Sequence, residues 1–218
     1  MLPILLKTLP FFAVIGTGYL AGRWRFFGPE ATAALTKFVF YFALSAMLFR
    51  FAANLSLGDI FDWPFVLAYL SACLVLYALA FAVALWRRVT VEEAAVEAQC
   101  AVIGNTGFLG VPMLVLLLGP AAVGPVLMVL SIDLIVFSSL ITLIITARRE
   151  GQMNLGLFRV LAVGLLKNPM IVSIVLGLAW GATEWPVPGP VNEFLALLGA
   201  AATPGALFAI GASLAGRS

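Results

Sequence analysis

The sequence lacks histidine altogether, and only 10% of its 218 residues are charged. Without histidine the chain has neither the commonest general base nor the commonest metal ligand. Its two cysteines, Cys73 and Cys100, stand in apolar surroundings without a CxxC or Cys/His spacing. No disulfide framework, metal site or cofactor is therefore expected, and an enzyme is poorly supported.

Apolar residues make up 63% of the chain, against about 45 to 50% in an ordinary soluble domain. No soluble fold can bury this much apolar surface. The sequence therefore predicts an all-α, multi-pass membrane protein with the lipid bilayer as its surroundings. The net charge of +2 does not indicate a nucleic-acid partner, and none is expected.

Seven stretches are long and apolar enough to cross a bilayer, which takes about 20 helical residues. The first is dotted with glycine and lacks a basic leader, so it is interpreted as a span and not as a removable signal sequence. The predicted spans are Ile4 to Gly22, Ala33 to Asn54, Trp63 to Trp86, Ala94 to Leu118, Ala121 to Thr146, Phe158 to Gly181 and Val191 to Ala215.

The connections between spans alternate in charge. Ten of the twelve lysines and arginines flank the connections of one side, and only Lys7 and Arg50 lie near the other. Because basic residues favour the cytoplasmic side, this bias predicts an inner (plasma) membrane protein with its amino terminus outside. Arg50, near the outer end of span two, is expected to extend its guanidinium toward the interface.

The sequence matches itself at an offset of 159 residues, with ten identities over 46 aligned positions. Because this offset holds five spans, the second copy would cross the membrane in the opposite direction, as in inverted-repeat transporters. Residues 1–150 are predicted to form the first five-helix repeat and residues 151–218 the start of the second. We therefore expect a ten-span protein. This chain would be a fragment of it, or three of its spans would be missing here. The informative pairs are Pro10 with Pro169, Gly18 with Gly177, Gly22 with Gly181 and Pro29 with Pro188.

Span four carries the stretch VIGNTGFLGVP, residues 102–112, near its middle. Its glycines weaken a helix, and Pro112 lacks an N–H, so two half-helices joined by an unwound segment are predicted. Irregular backbone at this depth is tolerated where it is buried in protein or lines a cavity. Asn105, Thr106, Gly107 and Gly110 are therefore candidate substrate contacts, with free amide groups between Gly107 and Gly110. The alternative is that the glycines only allow close helix packing.

Asp133 is the one acid well inside a span, where a charge costs about 2.5 to 3.5 kcal/mol on insertion scales. It is expected to be paired, hydrated or protonated, either as a proton or ion carrier or as a structural hydrogen-bond partner. Ser45 and Pro204 occupy equivalent repeat positions. Pro204 is expected to kink span seven, and Ser45 to bend span two by bonding to a carbonyl. Ser45 and Thr203 complete the candidate substrate contacts.

These residues resemble the bacterial members of the auxin efflux carrier family, which are related to plant PIN transporters and known also as malonate or malate permeases. The resemblance covers essentially the whole chain. It lies in LPFF (9–12) with GYLAGR (18–23), FVFY (38–41), NTGFLGVP (105–112), Asp133 and PGALFAIGASL (204–214).

The resemblance implies ten spans in two inverted five-helix repeats, with broken fourth and ninth helices that cross. Pro112 would mark the first crossover, and Asn105 matches an asparagine near the substrate carboxylate. Ser45 departs from the family, which often has proline there. A homodimer is also implied by the resemblance.

The leading hypothesis is a secondary active transporter of small organic anions, such as carboxylates or auxin-like acids, that works by alternating access with H⁺ or Na⁺ coupling. The first alternative is a sodium-coupled organic-anion symporter of the bile-acid-symporter type. The second alternative is a nontransporting membrane scaffold or receptor subunit.

Overall fold

The computed structural model describes residues 2–54, 62–150 and 155–216. Their regular structure is helical throughout. The α-helices are α1 (Leu2–Arg23), α2 (Pro29–Phe38), α3 (Leu44–Ala53), α4 (Trp63–Trp86), α5 (Val91–Val102), α6 (Val111–Leu118), α7 (Val123–Ile132), α8 (Ser138–Glu150), α9 (Leu155–Lys167), α10 (Pro169–Gly181), α11 (Gly189–Ala200) and α12 (Ala202–Ala215).

Six helical stretches of the described residues are long and apolar enough to cross a membrane, and a bent pair supplies a seventh. The prediction of an all-α, multi-pass membrane protein is therefore confirmed. Span one is α1, span three is α4, and span five consists of α7 and α8. Span two joins α2 to α3, span four joins α5 to α6, and span seven joins α11 to α12.

The sixth span differs from the continuous helix predicted from Phe158 to Gly181. It consists of α9 and α10, which meet at 77°. Pro169 begins α10 and disfavours helical backbone at the residue before it. Asn168 is accordingly extended, and its side-chain oxygen accepts hydrogen bonds from the amides of Met170 at 3.0 Å and Ile171 at 3.5 Å. The bend therefore has a local cause, a proline start with an asparagine N-cap.

The spans pack as two groups. In one group α1 and α2 lie against α12, while α3 lies against α10 and α11. In the other group α4 packs on α5, and α5 packs on α8. A buried apolar cluster joins span two to spans four to seven, whereas a second cluster, centred on Tyr77 and Phe137, belongs to spans three to five. The broken span four thus lies where the two groups meet.

Two glycines allow close helix contacts that correspond to each other in the first group. A Cβ built at Gly18 of α1 would overlap the carbonyl oxygen of Phe208 in α12. One built at Gly177 of α10 would lie 2.6 Å from the carbonyl oxygen of Phe49 in α3. Gly18 and Phe208 correspond to Gly177 and Phe49 at the repeat offset of 159 residues. The two contacts are therefore equivalent, while the division into repeats at residue 150 stays a prediction.

Single π-helical turns interrupt spans two, four and five at Val39–Ala43, Thr106–Gly110 and Asp133–Phe137. The hydroxyl of Ser45 donates to the carbonyl of Phe40 at 3.1 Å, five residues back. Ser138 bonds to the carbonyl of Asp133 in the same way at 3.3 Å. Because π-turns leave a carbonyl out of the regular ladder, a nearby hydroxyl satisfies it.

Span seven divides at Ala201, between α11 and α12. Pro204 is the third residue of α12, so its missing N–H falls in the first turn, where no intrahelical bond is lost. The two pieces together still pass as one candidate span from Gly189 to Ala215. The proline therefore accompanies a division of the span without the wide bend seen in span six.

Candidate functional site: the break in span four

Span four is broken ahead of Asn105, as its glycines predicted. Helix α5 ends at Val102, and Ile103 is extended, with φ −91° and ψ 118°. The chain then makes the π-turn Thr106–Gly110 and continues as α6. Pro112 lies in the first turn of α6, where proline fits a helix start. The break thus separates an upstream half-helix from a downstream half that begins at Thr106.

Asn105 organises this break through both its side chain and its backbone. Its side-chain oxygen accepts a hydrogen bond from the amide of Phe108 at 3.2 Å. Its carbonyl accepts from the amides of Leu109 at 3.1 Å and Gly110 at 3.0 Å. We expected free amides from Gly107 to Gly110, and this was wrong for Phe108, Leu109 and Gly110, whose amides all have acceptors.

The free donors of the break lie slightly earlier than expected. Within the described residues, the amides of Thr106 and Gly107 have no backbone acceptor. Asn105 is exposed and uses its side-chain oxygen as the cap, so within the described residues both N–H groups of its side chain remain free to donate. These donors stand at the N-terminal end of the downstream half-helix, where the helix dipole favours negative charge.

Gly107 has a packing role. It is buried, and a Cβ there would lie 3.0 Å from the terminal methyl carbon of Met170, with side chains of Leu130 and Leu44 slightly further away. A side chain would therefore push span four away from spans two, five and six. At Gly110 an added Cβ would meet only ordinary contacts, 3.6 Å from the carbonyl oxygen of Asn105. The packing alternative thus holds for Gly107 more than for Gly110.

Asp133 is buried beside the break, with 4% of its surface exposed. One carboxylate oxygen accepts a hydrogen bond from the hydroxyl of Thr106 at 3.0 Å, and the other accepts from the hydroxyl of Tyr69 at 2.8 Å. Spans three, four and five are thereby tied together at one acid. The two neutral donors compensate part of the cost of burying a carboxylate, which is high without partners.

Tyr69 is a site residue that the sequence reasoning missed. The signal was present, because a tyrosine hydroxyl inside an apolar span needs a hydrogen-bond partner, and so does an acid such as Asp133. What the sequence did not give is which of the polar groups inside the spans faces this acid.

The candidate contacts fall into separate cavities. Asn105 lines a cavity of about 290 Å³ with residues of spans two and seven, among them Thr36 and Ser213. Thr106 lines an apolar cavity of about 380 Å³ on another side of the break. Thr203 lies in a third cavity, of about 480 Å³. Ser45 is buried and lines none of these three.

The third cavity contains Arg50 and Pro112 beside Thr203. Arg50 is half-buried, and its Nε donates to the side-chain oxygen of Asn192 at 2.9 Å. Its guanidinium is thus held against span seven through Asn192, although the sequence had indicated only a side chain reaching for the interface. The structure therefore places Asn105, Thr106 and Asp133 together and keeps Thr203 and Ser45 apart from them.

A helical bundle with a broken span and a buried acid beside the break defines a class, the multi-pass membrane proteins with an interrupted helix at their centre. Comparison with known proteins narrows the class. The model of a family described as "Membrane transport protein" matches residues 3–218. The chain belongs to this family, and the resemblance to auxin efflux carriers is confirmed.

A protein of Rhizobium meliloti (strain 1021), named "Putative malonate transporter", is 31% identical over an alignment of 215 residues, and the match covers 96% of this chain and 66% of that protein. The chain therefore spans slightly less than two thirds of the length of this curated relative. Family and relative both point to a transporter and not to an enzyme.

Proposed function

We propose that the protein is part of a secondary active transporter of small organic anions, carboxylates of the malonate type first among them. The observation that carries this proposal is the break at Asn105, which places this residue, whose side-chain NH₂ has no acceptor among the described residues, in the wall of a cavity between spans two, four and seven. Among the lining residues of that cavity no side chain is acidic. The name of the Rhizobium meliloti relative supports the choice of malonate.

The donors match a carboxylate in their number and in the electrostatic potential around them. The two N–H groups of the Asn105 side chain can donate to one carboxylate in that cavity, whereas Thr106 lines a different cavity and Gly107 is buried against Met170. The partial positive charge at the start of the downstream half-helix adds to their attraction. A cation would find the opposite field there, so the site selects anions.

The position of the break supports alternating access. Asn105 lines one cavity, while Pro112, in the first turn of α6, lines the cavity that contains Arg50 and Thr203. Movement of span four between spans two and seven would expose the donors first to one side and then to the other. We place the protein in the inner membrane with its amino terminus outside, as the charge bias predicts.

Transport of radiolabelled malonate by the full-length protein in proteoliposomes tests the proposal. Substituting Asn105→Ala removes the NH₂ donors and the cap on Phe108, and we expect malonate transport to fall at least tenfold. Thr17→Val is the matched control. Thr17 is exposed, and its hydroxyl donates only to the carbonyl of Ala13 in the same helix. Unchanged transport in the Asn105 variant would remove the break from the site.

Asp133 is proposed as the coupling group, because the hydroxyl of Thr106 joins it directly to the residue after Asn105. Proton coupling predicts that Asp133→Asn abolishes uptake driven by a pH gradient while malonate exchange across the membrane continues. Uptake that depends on a sodium gradient and ignores the pH gradient would favour the sodium-coupled alternative. Absence of any flux in the wild-type protein would favour the scaffold or receptor alternative.

A further inference from the structure

Another cavity is separate from the break, and its lining is basic. It measures about 870 Å³ and lies between the connection after α1, helix α2 and the end of α12. Arg23, Arg25 and Lys37 line it, and none of its lining residues is acidic. We name this cavity the basic vestibule.

The basic vestibule adjoins the cavity at the break. Its lining shares Thr36 and Ser213 with the cavity that contains Asn105. Thr32 also lines the vestibule, and with Thr36 it forms one hydroxyl-bearing face of α2, four residues apart. The three cations and Asn105 therefore line neighbouring cavities that share two hydroxyl-bearing side chains.

The walls of the vestibule are fixed by packing. Phe27, in the connection after α1, lies edge to face against Phe208 of α12, with ring centroids 5.1 Å apart. Gly22 admits the backbone of Ala212 so closely that an added Cβ would lie 2.9 Å from its carbonyl oxygen. The cations are thus held around a preformed opening.

The cations themselves are available to a ligand. Arg23, Arg25 and Lys37 are all exposed, and within the described residues none of them forms an ion pair. By contrast Arg87 pairs with Glu97 at 2.8 Å. The positive-inside rule explains positive charge on this face of the membrane, but it does not require three cations to line one cavity beside the cavity of Asn105.

We propose that the basic vestibule is the entry funnel for the anionic substrate on the membrane face that bears Arg23, and that it sets a preference for dianions over monoanions. This inference rests on the proposed transport function. Clefts lined by one sign of charge raise local ligand concentration and association rates by about 10 to 1,000-fold. Because Coulomb energy is proportional to ligand charge, a tenfold gain for a dianion corresponds to about threefold for a monoanion.

The first experiment measures malonate uptake into membrane vesicles of both orientations. The triple variant Arg23→Gln/Arg25→Gln/Lys37→Gln should raise KM by about tenfold when the vestibule faces the medium. KM from the opposite face and the maximal rate should change less than twofold. For monomethyl malonate, a monoanion, the rise should be about threefold. Arg148→Gln, which removes an exposed cation outside the vestibule, should leave every KM unchanged.

The salt dependence of KM provides a second readout of the same electrostatic effect. The Debye length falls from about 8 Å at 0.15 M to about 3 Å at 1 M ionic strength. The KM difference between wild type and triple variant should therefore nearly vanish in about 1 M salt. A charge-retaining variant, Arg23→Lys/Arg25→Lys, should keep the wild-type KM, which separates charge from any misfolding of the triple variant.

A third readout does not depend on transport. The two native cysteines are first removed by Cys73→Ala and Cys100→Ala. A cysteine introduced by Thr36→Cys then reports the electrostatic potential where the two cavities meet. It should react faster with an anionic thiosulfonate reagent than with a cationic one, and the triple variant should lower this rate ratio about tenfold. An unchanged ratio would overturn the funnel whether or not malonate is transported.

The outcomes separate the two proposals. A charge-dependent ratio at Thr36→Cys without malonate flux would refute the transport proposal and leave an anion funnel. Malonate flux with an unchanged KM in the triple variant would refute the funnel alone. If the variant changed only the dependence of activity on anionic lipid, the vestibule would hold a lipid headgroup, and the substrate funnel would be wrong.

Discussion

The packing of α1 on α12 makes a quantitative prediction at Gly18. In Gly18→Ala the new methyl group would overlap the carbonyl oxygen of Phe208, and it would lie 2.9 Å from the carbonyl carbon and 3.0 Å from the Cα. All three atoms belong to backbone, so no side chain can rotate away and the helices must separate. Overpacking of this kind costs about 1 to 3 kcal/mol of stability.

The same helix supplies the matched control. Gly16 lies two residues earlier, and a Cβ there would meet nothing within 4 Å. Gly16→Ala should therefore raise stability slightly, by up to about 1 kcal/mol, because alanine favours a helix over glycine. Both substitutions replace glycine with alanine, but Gly18→Ala is expected to lower stability and Gly16→Ala to raise it.

Thermal unfolding of the detergent-purified protein, followed by fluorescence-detected size exclusion, measures the difference. At about 2 to 4 °C per kcal/mol for a chain of this size, Gly18→Ala should lower Tm by about 2 to 12 °C, while Gly16→Ala should leave it equal or higher. The equivalent contact predicts a similar loss for Gly177→Ala. Equal Tm values for the Gly16 and Gly18 variants would show that α1 and α12 do not meet as described.

Two further predictions concern capping and the buried acid. Asn168→Ala removes the acceptor for two amides at the start of α10, so it should cost about 1 kcal/mol and lower Tm by about 2 to 4 °C, whereas Thr17→Val should not. Tyr69→Phe removes a donor to Asp133 and should cost about 1 to 3 kcal/mol, whereas Tyr77→Phe removes only a 3.3 Å bond to a neutral carbonyl and should cost less. A larger Tm loss for the Tyr77 variant would contradict the assigned partners.

The spans could be predicted closely because the signal for them is local. A run of apolar residues must lie in lipid or protein, and its backbone must then bond within the run, so hydropathy alone locates the helices. The break at residues 103–105 was equally local, since glycines and Pro112 act on the backbone that carries them. The bend of span six had a comparable signal in Asn168 and Pro169, but its apolar length had favoured one continuous helix.

The partners of the polar side chains could not be predicted in the same way. Tyr69 and Asp133 are 64 residues apart, and Arg50 and Asn192 are 142 apart. Such pairs depend on which faces of which helices meet, and apolar spans with weak periodicity do not specify their facing sides. For the same reason the sequence grouped Ser45 and Thr203 with Asn105, whereas the packed helices separate them.

By itself, then, the sequence determined a multi-pass helical membrane protein and the position of the broken span, because both follow from backbone chemistry and composition along the chain. The family followed from the resemblance of its motifs. Only the tertiary structure decided that Asn105 uses its own carbonyl and side-chain oxygen to satisfy three of the expected free amides. It also decided that Thr106 and Tyr69 share Asp133, and that three cations line one cavity. The bonds of Asn105 are local, but the shared acid and the grouped cations require distant segments to be brought together, which only the packing of the spans achieves.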